Sequence, residues 1–236
     1  MKTLLVGFGD SWTFGSELDR PEHQSWVYQL AQALDAEPVN MGTPASSIGH
    51  LTVQLFDFIQ QYPDFEDYKI IFMVGLTGLT RYLSYSNVDR EFINITPEAV
   101  YKTSCIHPSG RPPEVANHMS GLARDMYKLV EDSTYNEFLA CQQIFQFQQF
   151  CNYNEIDCLF FSYFDLLDTS NYSHMLYLDT IYPTTITQAL TGNEYELPAI
   201  RDNEYFKDKL FHPNLLGHTR IAELLKEFYD KEYPRN

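Results

Sequence analysis

Leu4-Leu5-Val6-Gly7-Phe8-Gly9-Asp10-Ser11-Trp12 is the stretch that decides the fold of this chain. Leu4 to Phe8 is largely apolar with no polar alternation, the composition of a strand buried on both faces in a parallel sheet. It opens at its carboxyl end onto Gly9, Asp10 and Ser11. In open α/β sheets ligands bind beyond the carboxyl ends of the strands, so a serine there is placed for chemistry. Serine is a weak nucleophile until a base removes its proton. The chain must therefore deliver a histidine to Ser11.

The rest of the sequence repeats a strand–loop–helix unit. Pro21 to Leu34 carries Trp26, Val27, Leu30, Ala31 and Leu34 at helical spacing, and Glu37 to Asn40 reads as a short strand. Ile48 to Tyr62 is predicted as a helix with Leu51, Leu55, Phe58 and Ile59 on one face. Lys69 to Val74 (KIIFMV) and Asp157 to Tyr163 (DCLFFSY) are further buried strands. Ala123 to Val130 and Asn136 to Asn152 read as helices. Pro213 opens the last helix, where a proline at the first position forfeits no hydrogen bond, and Ile221, Leu224, Leu225 and Phe228 form its core face. This alternation predicts an α/β protein: a three-layer α/β/α sandwich with a central parallel sheet, a single domain over residues 1–236. Two stretches break the rhythm. Residues 81–121 are rich in Tyr, Pro, Asn and Ser, a loop-rich excursion that is either a recognition element or a peripheral insertion. Residues 168–203 are polar and turn-rich and are expected to cover the carboxyl edge of the sheet.

Composition excludes several classes. The chain of 236 residues has 32 acidic against 16 basic side chains, a formal net charge of -16. Nucleic acid needs clustered Lys and Arg for its phosphates, and anionic lipid surfaces need the same, so neither is expected as a partner. Cys105, Cys141, Cys151 and Cys158 form no CxxC pair and have no histidine at zinc-ligand spacing. They read as small core residues, and no metal and no cofactor is expected. The apolar run before Gly9 is too short for a signal peptide, and no run is long enough for a membrane span. A soluble protein, cytoplasmic or associated with a virion, is the expectation.

The histidine arrives late, in His212-Pro213-Asn214-Leu215-Leu216-Gly217-His218. His212 stands just before the last helix, so its ring can project over the carboxyl edge. Together, Gly9-Asp10-Ser11 near one end and this HPNxxGH stretch near the other resemble the SGNH hydrolase superfamily, the GDSL-type esterases and lipases. The resemblance implies a flavodoxin-like fold with Ser11 as nucleophile and His212 as its base. It also implies an acid three positions before the histidine, where this chain has Lys209. Asp208 is the nearest substitute, with Asp202 and Asp165 as further ones; a solvated surface acid is the other reading of Asp208. The implied oxyanion hole consists of the backbone N–H groups of Ser11 and of a glycine position held here by Ala45, with Thr77 in place of an asparagine. An alanine serves there if its φ is negative, and a threonine hydroxyl can donate at closer range. The Gly75-Leu76-Thr77 variant resembles SGNH-like proteins of phages and environmental bacteria.

Other readings of the same residues carry less. Gly7-Phe8-Gly9 is no dinucleotide fingerprint, because Trp12 fills the third glycine position and Asp10 would repel a pyrophosphate. Asp10 is expected to brace the turn by accepting backbone N–H bonds. His218 reads as a packing or capping residue, and His107, His118 and His174 have no carboxylate at ligand spacing. Trp12, Phe14, Tyr82 and Tyr85 could line an acyl or sugar pocket or belong to the core. The expected activity is hydrolysis of a carboxylic ester with a short acyl group, such as acetyl on a polysaccharide. The alternative is a structural or carbohydrate-binding component of a larger assembly that keeps the fold without turnover.

Overall fold

The computed structural model describes residues 1–78, 81–86, 91–95, 133–164, 167–192, 203–206 and 212–234, with the backbone alone at 82–86, 91–95 and 133–135. Its strands are β1 (Thr3–Phe8), β2 (Glu37–Asn40), β3 (Lys69–Leu76), β4 (Tyr82–Ser86), β5 (Glu91–Ile95), β6 (Asp157–Ser162) and β7 (Ile181–Thr185). Five of them form one parallel sheet in the order β2-β1-β3-β6-β7. The helices are α1 (Ser11–Phe14), α2 (Pro21–Gln24), α3 (Trp26–Ala33), α4 (His50–Gln61), α5 (Ser133–Tyr153), α6 (Ile186–Thr191) and α7 (Leu215–Glu232).

Successive strand residues point to opposite faces, and both faces are apolar here. Leu5, Ile71, Met73, Leu159 and Phe161 pack with Trp26, Val27 and Leu30 of α3 and Ile221 and Leu225 of α7. Leu4, Val6, Phe8, Phe72, Val74 and Phe160 pack on the other side with Leu51, Leu55 and Phe58 of α4 and Ile144 and Phe147 of α5. The expected three-layer α/β/α sandwich is therefore the observed fold, and the continuous apolar runs of β1, β3 and β6 are its central strands. None of the helices among the described residues is long and apolar enough to cross a membrane.

Three local differences have physical causes. The helix expected over 21–34 is two helices, broken where Ser25 turns extended (φ −61°, ψ 156°) and its hydroxyl caps α3 by accepting from the Tyr28 N–H. The turn-rich stretch from 168 holds a strand, β7, that sequence patterning does not show. It lies at the sheet edge, where Pro183 is tolerated because one side of the strand has no ladder to serve. Within the excursion, β4 and β5 pair as an antiparallel hairpin, with Tyr82 opposite Ile95; the helix expected over 123–130 lies outside the described residues.

Candidate active site

The site begins where β1 ends. Gly9 has φ +145°, and a Cβ there would meet Thr13 Oγ1 at 2.3 Å and the Gly75 carbonyl oxygen at 2.9 Å. Glycine is required by both conformation and space. The Gln54 side chain, buried on α4, clamps this residue from both sides: the Gly9 N–H donates to Oε1 (3.0 Å) and Nε2 donates to the Gly9 carbonyl (2.7 Å). Asp10 follows as the N-cap of α1, its Oδ1 accepting from the Trp12 N–H at 2.9 Å. Ser11 is the first residue of α1 and is 7% exposed.

The other half of the site is built by the HPNxxGH stretch, and each of its five named residues has a task, while Leu215 and Leu216 are exposed. Asn214 caps α7, its Oδ1 accepting from the Gly217 N–H at 3.0 Å, while its Nδ2 donates to the Glu204 carbonyl at 2.6 Å. Pro213 bridges to Phe206, and the Asn214 N–H donates to the Tyr205 carbonyl. Gly217 permits this docking, because a Cβ there would lie 2.2 Å from the Tyr205 carbonyl oxygen. His218 is fully buried and its Nδ1 accepts from the Trp26 N–H at 3.2 Å, tying α7 to α3. With the last helix so fixed, His212 presents Nε2 to Ser11 Oγ at 2.9 Å, across 201 positions of sequence. Lys209, Asp208 and the two further candidate acids, Asp202 and Asp165, lie outside the described residues.

His218 is a capping group, and burial, followed by the nearby His212, pushes its pKa down to about 3. Its folded pKa is depressed below the ordinary histidine value of about 6.5. The neutral ring therefore contributes stability that is complete above the unfolded pKa and is lost as pH falls from there toward about 3. Between pH 7 and pH 5 the loss from this residue is about 2 kcal/mol. Urea unfolding at the two pH values should show that fall in wild type and a correspondingly smaller one in His218→Gln; identical falls would remove His218 as the cause.

The two other expected oxyanion donors take positions that the sequence does not show. Ala45 is in the left-handed region at φ +61°, so the negative φ that would suit an alanine is not met. Only glycine adopts this conformation without steric cost, which for an L-residue is about 1–2 kcal/mol. Ala45→Gly is expected to raise stability by about 0.5–1 kcal/mol, since the added freedom of the unfolded chain offsets part of the relief; denaturant titration reads the difference, and a loss of stability would count against strain at this residue. The Thr77 hydroxyl donates to Asp10 Oδ2 at 2.6 Å. A hydroxyl has one proton, so the direct donation expected of Thr77 is directed to the carboxylate in this structure.

Two residues of the site carry no signal that sequence reading used. Gln54 sits on the apolar face of α4 between Leu51 and Phe58, and a polar residue in an apolar stripe is a legible anomaly. Arg81, just after β3, donates from Nη1 to Asp10 Oδ2 at 2.8 Å, and the pair is an ion pair with Asp10 wholly buried. Trp12, a candidate pocket residue, is core instead: it is 2% exposed and packs on Tyr163, Phe164 and Phe206. Phe14 is partly exposed. Tyr163 lies below the site with its hydroxyl 2.6 Å from Thr13 Oγ1, and burial, then Asp10, pushes its pKa well up. No cluster of three or more His, Cys, Asp or Glu that could hold a metal is present among the described residues.

The parallel sheet β2-β1-β3-β6-β7 with helices on both faces is an α/β fold that the chain shares with solved structures. Among solved structures it is similar to the crystal structure of TesA, at 14% identity and TM-score 0.50 over 98% of this chain and 99% of that one. Lower-scoring matches are the psychrotrophic esterase EstA from Pseudoalteromonas sp. (12% identity, TM-score 0.48, 98% of each chain) and a carbohydrate esterase whose active site displays divergent catalytic and non-catalytic binding functions (12%, 0.47, 98% of this chain and 66% of that one). No protein-family model matches the sequence, and none of the curated proteins does.

Proposed function

We propose that the protein is a serine esterase that hydrolyses a carboxylic ester with a short acyl group, such as acetyl on a polysaccharide. The observation that carries this reading is the 2.9 Å contact between His212 Nε2 and Ser11 Oγ. It is the nucleophile–base geometry that acyl transfer needs. In the forward step Ser11 Oγ attacks the ester carbonyl as its proton passes to His212 Nε2. The tetrahedral oxyanion is held by the backbone N–H groups of Ser11 and of Ala45, whose left-handed φ strains the residue but leaves its N–H as a donor; each such donor can contribute about 3 kcal/mol. Collapse expels the alcohol, which takes the proton back from His212. Water, deprotonated by the same ring, then attacks the acyl-enzyme and releases the acid and free Ser11. Asp208 is the proposed acid behind His212, fixing the tautomer and stabilising the imidazolium. Asp10 and Thr77 act at one remove, by holding the turn that presents Ser11. The preference for small acyl groups is argued from the fold.

A fluorophosphonate probe and p-nitrophenyl acetate test the reading. Wild type should be labelled at Ser11 and turn over the ester, while Ser11→Ala should do neither; equal rates in the two proteins overturn it. The second reading is a carbohydrate-binding or structural component of a larger assembly without turnover. The commitment of the Thr77 hydroxyl to Asp10 and the left-handed Ala45 favour it. A wild-type protein that binds acetylated oligosaccharide but remains unlabelled would establish that alternative.

A further inference from the structure

Arg81 does more than neutralise a buried acid. Its Nη1 lies 2.8 Å from Asp10 Oδ2, 2.7 Å from Thr77 Oγ1 and 3.3 Å from the Ser46 carbonyl oxygen. These partners stand in the segments that follow β1, β3 and β2, so one guanidinium nitrogen is pinned where three strand ends meet beside Ser11. The side chain is 19% exposed, whereas Asp10 beneath it is not exposed at all. Nε and Nη2 have no partner among the described residues. They form the side-on edge of the guanidinium, two parallel donors whose spacing matches the two oxygens of a carboxylate. A fork already held in place loses little further rotamer freedom on binding.

Most other described cations are paired elsewhere; Arg20, exposed ahead of α2, has no carboxylate partner among the described residues. Lys2 and Lys69 lie at the opposite, amino edge of the sheet, paired with Glu37 and Asp157. Arg220, Lys226 and Lys231 pair with carboxylates of α7 itself. With a formal net charge of -16, the chain offers anions no diffuse attraction. A negatively charged substrate would have to be selected by a local contact, and Arg81, held at Asp10, Thr77 and Ser46, is a described group placed to make it.

We infer that Arg81 is a substrate-recognition residue whose free edge binds a carboxylate on the alcohol part of the ester, so that the preferred substrates are acyl esters of acidic sugars of the uronate type. The inference rests on the esterase reading, and the test separates the two. Phenyl acetate and 3-carboxyphenyl acetate differ in a carboxylate that barely alters the leaving group. Wild type should favour the acidic ester by about tenfold or more in kcat/KM, the scale of one charge-assisted hydrogen-bonded pair. The preference should fall to about one in Arg81→Gln and to a few-fold in Arg81→Lys, which keeps the ion pair to Asp10 but has no fork. A wild-type preference of one or less, or a tenfold preference that persists in Arg81→Gln, overturns the inference. If neither ester is turned over, the esterase reading fails and binding decides the anion site. Calorimetry with Ser11→Ala should then show galacturonate bound about tenfold more tightly than galactose, with the difference lost when Arg81→Gln is added. Equal affinities for the two sugars overturn the inference on that arm. Arg81→Lys serves both arms if Arg81→Gln fails to fold.

Discussion

Alanine at Ser11 is expected to lower kcat/KM for p-nitrophenyl acetate by about 10⁴-fold or more, and alanine at His212 by a comparable factor. The two side chains act as one unit, because the nucleophile is competent only while the ring accepts its proton, and their 2.9 Å contact is the structural form of that dependence. The double replacement should therefore be no slower than either single one. Their factors would multiply only if the residues acted independently. What survives in all three variants is the residual effect of backbone donors and binding. Neither change should unfold the protein: Ser11 loses one hydroxyl at a helix start, and the fixing of the last helix belongs to Asn214, Gly217 and His218 rather than to His212. Steady-state kinetics on the four proteins, with far-ultraviolet circular dichroism as the folding check, give the answer. A loss under tenfold in Ser11→Ala would end the nucleophile assignment.

How much of this could be read from the sequence depended on whether the determinant was local. β1, β3 and β6 are buried on both faces, so they appear as uninterrupted apolar runs, and the parallel sheet follows from them. β7 is an edge strand only half buried, with Pro183 inside it, and these properties erase the pattern. The break in the helix at Ser25 was hidden because apolar spacing runs on through Trp26 and Val27, yet Ser25 is itself a preferred capping residue. At the site, Ser11 opens α1 and His212 stands just ahead of α7, and both stand out because each lies in a distinctive local string. The other residues of those strings also had readable tasks once placed, from the N-cap of Asn214 to the close approach at Gly217.

The rest of the site was set by contacts that no local string encodes. Arg81 lies 71 positions from Asp10, and an arginine opening an irregular stretch looks like any solvated surface charge. Thr77 could be recognised as a donor, but the direction of its one proton depends on a carboxylate arriving from another strand. The φ of Ala45 is likewise a property of the loop as folded, and the residue type argued the other way. Gln54 is the instructive intermediate case. Its place in an apolar stripe was visible, but its purpose, the two-sided clamp on Gly9, needed β1 in view.

Asp10→Ala should destabilise the protein by about 3 kcal/mol, near the lower end of the range for breaking a buried ion pair. The carboxylate is wholly buried and satisfied by three donors: the Trp12 N–H on Oδ1, with the Thr77 hydroxyl and Arg81 Nη1 on Oδ2. Removing it leaves a guanidinium, a hydroxyl and a backbone N–H without their acceptor. The estimate stays at the lower end because Arg81 is 19% exposed and can recover part of its hydration. Asp10→Asn should cost less than Asp10→Ala, because its amide oxygen still caps α1 while its NH₂ faces two donors. Arg81→Met in the Asp10→Ala background should restore part of the loss, since a cation without its partner is then removed. Guanidinium chloride unfolding of the double-mutant cycle measures the coupling directly. Additive losses would mean that Arg81 and Asp10 do not support one another, and an Asp10→Ala loss below about 0.5 kcal/mol, the level of an ordinary surface change, would mean that the turn presenting Ser11 is held by Gln54 alone.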